Sequence, residues 1–378
     1  MESSFKTAVA CWLFILLISL PLAAQITQDS SKAIVKQELL KTQKTSIKAF
    51  PYVYYTPETE LAFGVGGIMT FYTAKERILR PSKITLSGYY STRKQYKITL
   101  IPELYLSKNA LFISSNINFG TFVDKFWGVG NNTPDIETED YDSDAWGVLV
   151  SFQFPPLLKF MPQTKSGFIY DYYNYKVTDP RDNEFLNTGS VTGTEGGISS
   201  GLGVAFVWDT RNHIFWPTSG GYYQGKAIFY FKELGSTFRF DEYIVDLRKY
   251  YGLKGGNVFA FQVFASFVRG NPPFYELSAL GGSNIMRGYF KGRYRDKNYL
   301  AGQVEYRRHL WWRFGMIAFA GMGDVEENMR NFRIVDTKFS YGAGLRFSFD
   351  QEQKVNLRVD LGLGRDTSGV YFGLEEAF

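Results

Sequence analysis

The sequence predicts an all-β protein: a transmembrane antiparallel β-barrel of about sixteen strands that follows a cleaved signal peptide. Three observations predict it. The first is alternation within residues 355–364, where Val355, Leu357, Val359, Leu361 and Leu363 share one face and Asn356, Arg358, Asp360, Gly362 and Gly364 the other. Strand side chains repeat every two residues, so such a segment offers one face to lipid and one to a polar lumen. The second is composition. Phe, Tyr and Trp make up 18% of the chain, beside 37 glycines, while mean hydropathy stays mildly negative. Alternating lipid-facing and lumen-facing residues keep hydropathy low, and aromatic girdles raise the ring content. The third is the lack, after the N-terminal segment, of any apolar run near the ~20 residues that a spanning helix needs.

The N-terminal 24 residues read as a signal peptide. Lys6 precedes the apolar run 8–20, and Pro21 leads to the small-residue site Leu22-Ala23-Ala24, with cleavage expected after Ala24. The run is too short to cross a bilayer as a helix. Cys11 is the single cysteine of the chain and is removed with the leader, so disulfide and thiol chemistry are excluded from the mature protein. Residues 25–49 are polar and Lys-rich, and read as a short periplasmic tail that cannot fold alone. Residues 50–378 read as the barrel.

Strands are expected near 50–55, 61–73, 82–91, 94–106, 110–122, 143–154, 165–178 and 199–210. They continue at 221–233, 236–251, 255–268, 298–310, 313–324, 336–349, 353–364 and 368–378. Pro51 and Pro57 bracket the first. The links test the count. Those at 123–142, 179–198, 269–297 and 325–335 are long and fall on one side, while 107–109, 311–312 and 350–352 are short and fall on the other. Outer-membrane barrels have this asymmetry, with long extracellular loops, short periplasmic turns and both ends in the periplasm. The last strand carries Phe372 and Leu374 at alternate positions and ends on Phe378. It resembles the C-terminal signal that barrel-assembly machines recognise, although Glu376 interrupts its apolar alternation.

Two segments go beyond a generic barrel. Residues 207–221 read VWDTRNHIFWPTSGG, at a strand end and in the periplasmic turn after it. Residues 280–290 read LGGSNIMRGYF, in the longest extracellular loop, with GQVEYR at 302–307 on the next strand. Here the chain resembles the BamA/TamA superfamily, whose barrel is also called the bacterial surface antigen domain, over roughly residues 50–378. The resemblance implies a sixteen-stranded barrel with a periplasmic turn marked by Asp209, Arg211, Pro217 and Gly220. Pro and Gly suit the turn itself, and Asp and Arg can tie its ends.

It also implies that Arg287, Gly288 and Tyr289 lie in a sixth extracellular loop folded into the lumen, with the arginine paired to a carboxylate on the wall. Strand counting independently places them in the sixth extracellular loop. An arginine in a narrow lumen requires such a partner, because an unpaired buried charge is expensive. Glu305 matches the family's wall carboxylate, and alternation with Val304 and Tyr306 turns it inward. Asp360, on the polar face of its strand, is a second candidate. Where the family often has Phe-x-Asp-x-Gly, residues 319–323 read Phe-Ala-Gly-Met-Gly, with Gly321 in place of the second carboxylate. The lock therefore rests on Glu305 alone or on Asp360.

Residues 25–49 leave no room for the periplasmic polypeptide-transport-associated (POTRA) modules of the family's transport members. The resemblance thus implies a short form in the bacterial outer membrane that assists insertion or translocation of proteins or lipids. Its partners would be outer-membrane lipids, client outer-membrane or surface proteins, and separate periplasmic factors.

Other classes fare worse. A net charge of +5 with 37 acidic residues and no basic cluster argues against nucleic acid. An enzyme is not expected, nor a cofactor or metal. The two histidines, His213 and His309, stand in no Ser or Asp constellation. The acidic run 135–144 lacks Ca²⁺-loop spacing and reads as a solvated loop. Gly196-Gly197 and Gly281-Gly282 lack the Gly-Lys-Ser/Thr of a phosphate loop. A passive pore or structural barrel remains the main alternative, and an outer-membrane hydrolase using either histidine a remote one.

Overall fold

The computed structural model describes residues 45–73, 81–107, 110–136, 138–155, 161, 163–350 and 355–378. Period-two segments form the first half of the barrel as β1 (Ser46–Thr56), β2 (Glu60–Phe71), β3 (Ser82–Ser91), β4 (Tyr96–Leu106), β5 (Leu111–Lys125), β6 (Asp140–Phe154), β7 (Thr164–Asp179) and β8 (Gly196–Asp209). The second half comprises β9 (Gly220–Tyr230), β10 (Phe240–Gly252) and β11 (Val258–Gly270). After a loop holding the short hairpin β12 (Ser278–Leu280) and β13 (Tyr294–Asp296), it continues with β14 (Asn298–Trp311), β15 (Phe314–Glu326), β16 (Lys338–Asp350), β17 (Val355–Gly364) and β18 (Thr367–Leu374). Sixteen strands form one sheet in chain order, β12 and β13 forming their own. Every ladder is antiparallel, and the barrel is nearly closed. Strands β1 and β18 lie side by side, but among the described residues no backbone hydrogen bond joins them.

The two faces follow from alternation. Leu202, Val204 and Phe206 point outward and are exposed, whereas Ala205 is buried. On β17, Val359 and Leu361 are exposed while Asn356, Arg358 and Asp360 are buried. Apolar residues outside and charged ones inside invert a soluble fold, and suit a wall between lipid and lumen. Trp311 and Trp312, exposed at the β14–β15 turn, pack with Phe314 and Phe347 into an aromatic girdle. No helix among the described residues is long and apolar enough to cross a membrane.

The extracellular mouth is covered. Loops 126–139, 180–195 and 271–297 share a buried cluster of Phe126, Leu186 and Phe274 with Tyr141, Ala145 and Tyr175 of the wall. The helix α1 (Glu184–Asn187) sits in the second of these, capped by the Asn183 side chain, which accepts from the Leu186 N–H.

Two boundaries differ from the sequence reading. β1 begins at Ser46, so the barrel takes in the end of the stretch assigned to the tail. Residues 1–44, which hold the expected signal peptide and the rest of the expected tail, lie outside the described residues. The last strand stops at Leu374 rather than running to Phe378, because Glu375 adopts a left-handed backbone (φ 66°) that turns the chain off the sheet and into the lumen.

Candidate functional site

The site is built from the loop between β11 and β14. Its β12–β13 hairpin delivers the tip, residues 281–293, into the lumen against the inner face of β14 to β18. Gly288 (φ +110°) is required there: a Cβ would lie 2.7 Å from the Leu363 carbonyl carbon and 2.9 Å from the Gly364 nitrogen. Gly362 is constrained in return, since its Cβ would meet the Arg287 carbonyl carbon at 2.6 Å. Backbone therefore lies on backbone.

Hydrogen bonds fix the contact. The Gly288 N–H donates to the Tyr371 hydroxyl (2.9 Å), which donates to the Tyr289 carbonyl (3.3 Å). Thr367 Oγ1 donates to the Gly288 carbonyl (3.0 Å) and the Ser340 hydroxyl to that of Arg287. The Tyr289 hydroxyl donates to the Phe339 carbonyl (3.1 Å) and accepts from the Arg365 N–H (2.9 Å).

Arg287 is fully buried. Its Nη1 donates to Asp360 Oδ2 and its Nη2 to Glu305 Oε2, both at 2.6 Å. The guanidinium carbon lies 3.6 Å from the centroid of the Phe319 ring. Both candidate carboxylates thus meet the arginine, one on each arm of its fork. Each is itself shared: Glu305 Oε1 accepts from Arg307 Nε (2.8 Å) and Asp360 Oδ1 from Arg346 Nη1 (2.5 Å). Gly321 faces the loop, where a Cβ would stand 3.1 Å from Gln303 Cβ and 3.6 Å from Met286 Sδ. It leaves room for the buried Met286, and the second carboxylate comes from β17 instead of β15.

The same tip spans the open seam. On one side it holds β18 through Tyr371 and Thr367. On the other, the Lys291 N–H donates to Glu58 Oε1 (2.8 Å) in the β1–β2 turn. β1 is anchored away from the seam, where the Tyr52 hydroxyl donates to the Gly88 carbonyl (3.2 Å). The Tyr52 ring fills the space over Gly64, where a Cβ would meet its Cζ at 2.3 Å. Pro51 lies within β1, aligned with Val65 of β2. A strand proline is accommodated where its nitrogen faces away from the ladder, so the missing donor falls on the seam side.

The periplasmic turn stands apart. Arg211 grips Asp209 with Nε (2.9 Å) and Nη2 (2.8 Å). Pro217 is buried beneath the turn, and Gly220 (φ +89°) has no room for a Cβ, which would meet the Thr210 carbonyl oxygen at 2.0 Å. His213 Nδ1 accepts from the N–H groups of Phe215 and Trp216 (both 3.2 Å), and His309 lies near the end of β14. Phe378 is buried in the lumen against Tyr250, Val258 and Ala260. Sequence reasoning missed Arg307, Arg346 and Glu376. Their signal was inward-facing charge at alternate positions, which names no partner.

A sixteen-stranded barrel with an arginine-tipped loop held across its seam defines a class of outer-membrane protein. Residues 80–368 match the Omp85 superfamily domain, and the chain belongs to that superfamily. Its fold is similar to BamA from Haemophilus ducreyi lacking POTRA domains 1–3, with TM-score 0.60 and 13% identity, over 88% of this chain and 70% of that one. It is also similar to CdiB from Acinetobacter baumannii, with TM-score 0.55 and 11% identity, over 90% of this chain and 66% of that one. No curated protein sequence matches the chain. The protein is an outer-membrane barrel, and no POTRA domain lies among the described residues.

Proposed function

We propose that the barrel assists insertion or translocation of proteins, or of lipids, by parting the seam between β1 and β18 toward the membrane. The observation that carries this reading is the seam itself, unladdered among the described residues and bridged by the loop tip. A closed pair of strands gains about 1 kcal/mol net from each backbone hydrogen bond, so an unpaired junction is the easiest place to open. The free edge of β1 then offers backbone donors and acceptors to an incoming strand. Arg287 holds the loop in place while the seam is shut. The partners are client outer-membrane or surface proteins and separate periplasmic factors that deliver them.

Depleting the protein and quantifying the outer-membrane proteome tests this. Selective loss of particular barrel or surface proteins is expected, restored by wild type and not by Arg287→Ala. An unchanged proteome would overturn the reading in favour of a structural barrel.

A further inference from the structure

Residues 375–378 leave the sheet and enter a lumenal site that the reading above does not use. The Glu375 N–H donates to the Asn356 carbonyl (2.7 Å), and Asn356 Nδ2 donates to Glu376 Oε1 (3.0 Å). Glu376 Oε2 accepts from Arg346 Nε at 2.9 Å and lies 3.8 Å from Arg307 Nε. Arg307 Nη2 donates to the backbone oxygen of Phe378 (2.8 Å). Its guanidinium carbon lies 5.5 Å from the centroid of the Phe378 ring. Ala377 and Phe378 are buried with Tyr250, Val258 and Ala260.

These contacts close a ring. Arg287 pairs with Glu305, Glu305 with Arg307, Arg307 with Glu376, Glu376 with Arg346, Arg346 with Asp360, and Asp360 with Arg287. Three arginines alternate with three carboxylates, and no side chain in the ring is more than 2% exposed. One member comes from the loop tip, two from β14, one each from β16 and β17, and one from the segment after β18. Arg358 Nη1 stands beside the ring, 3.6 Å from Asp360 Oδ2. Losing Arg287 therefore takes one of two arginines from Glu305 and one of three from Asp360. Losing Glu376 leaves Arg307 and Arg346 with one carboxylate each in a dry interior, where an uncompensated charge is costly. Groups in one such network respond together.

We propose that residues 375–378 are a latch, seated in a site formed by Arg307, Arg346, Asn356, Tyr250, Val258 and Ala260, and that the ring couples it to the loop lock. Loop and latch are released as one event. While the latch is seated, β18 stops at Leu374 and spans 8 residues against the 11 of β1, so among the described residues the periplasmic part of the β1 edge has no partner strand. Release frees Glu375 to Phe378 to extend along that edge. The coupling thus carries a change at the extracellular loop to the periplasmic end of the seam. It stands on the ion pairs alone, whatever the barrel handles.

The test uses the full chain with Cys11→Ser and Ala377→Cys, reconstituted in lipid nanodiscs and exposed to a membrane-impermeant maleimide. Residue 377 should label slowly in this parent. Arg287→Ala, whose side chain does not touch residues 375–378, should speed labelling by at least about tenfold. Gly288→Ala, which displaces the loop tip without removing a charge, should do the same and serves if Arg287→Ala does not fold. Arg181→Ala, which breaks ion pairs with Asp140 and Asp142 at the extracellular rim, away from the ring and the latch site, should leave the rate unchanged. Fast labelling of the parent would overturn the latch. An unchanged rate in a folded Arg287→Ala or Gly288→Ala barrel would overturn the coupling.

Discussion

Arg287 binds two carboxylates through one planar fork, and this geometry sets what a substitution should do. After Arg287→Ala, Glu305 retains Arg307 and Asp360 retains Arg346, so neither is wholly orphaned. The expected loss is about 2 kcal/mol, below the 3–5 of a fully broken buried pair. Arg287→Lys should recover little of it, because an ammonium cannot bond both carboxylates in the plane of the fork. Thermal unfolding of the purified barrel checks this, and equal stability of Arg287→Lys and wild type would contradict the fork.

A second residue-scale expectation concerns Glu276, in the turn at the base of the loop. Burial, reinforced by the facing carboxylates of Glu242 and Asp171, pushes its carboxyl up to about 8 from the ordinary 4.5. Lys226 and the Tyr230 hydroxyl stand on the same two facing carboxylates. Below about pH 4.5 folded and unfolded chains both hold the proton, whereas from there to about pH 8 only the folded chain does. The stabilisation is therefore present at low pH and lost as pH rises through 8. Loop 271–297 should be cleaved faster by protease at pH 9 than at pH 6, and Glu276→Gln should flatten that difference. Among residues, the motif named Arg287 and alternation turned Glu305 and Asp360 inward. Glu376 registered only as a break in a pattern, because its partner Arg346 lies two strands away on β16 and meets it only through the inward turn at Glu375.

At the scale of elements, all sixteen strands were legible, since a period of two survives in sequence wherever one face meets lipid. Strand ends were less so. Glu375 leaves the sheet by a left-handed backbone that no hydrophobic pattern records, and the three-residue strands β12 and β13 are too short to show a period. The same elements set a gradient of protection. β14 and β15 are laddered on both sides, whereas β1 and β18 are laddered on one. Hydrogen exchange should be faster along the seam-facing amides of β1 and β18 than in β14 and β15. Equal protection would mean that the seam is sealed.

The whole molecule joins an outer wall made for lipid to an interior held by ion pairs and capped by its own loops. Among the described residues, one junction in that wall has no ladder. The loop that locks there also touches both of its edges, so lock and seam form one mechanical unit. That unit was not legible from motifs, because the seam appears only when the first and last strands are brought together by closure of the sheet. The most direct test is to bridge the seam. A Cβ at Gly369 would lie 3.0 Å from Pro57 Cγ and 2.6 Å from the Tyr371 hydroxyl. Pro57→Cys with Gly369→Cys therefore places two thiols across it once the Tyr371 ring shifts, and Gly369→Ala controls for that shift. In depleted cells, the reduced double variant should restore the outer-membrane proteome as far as Gly369→Ala does, and should fail when oxidised and recover on reduction. A bridged protein that restores the proteome as well as the reduced one would contradict opening at this seam.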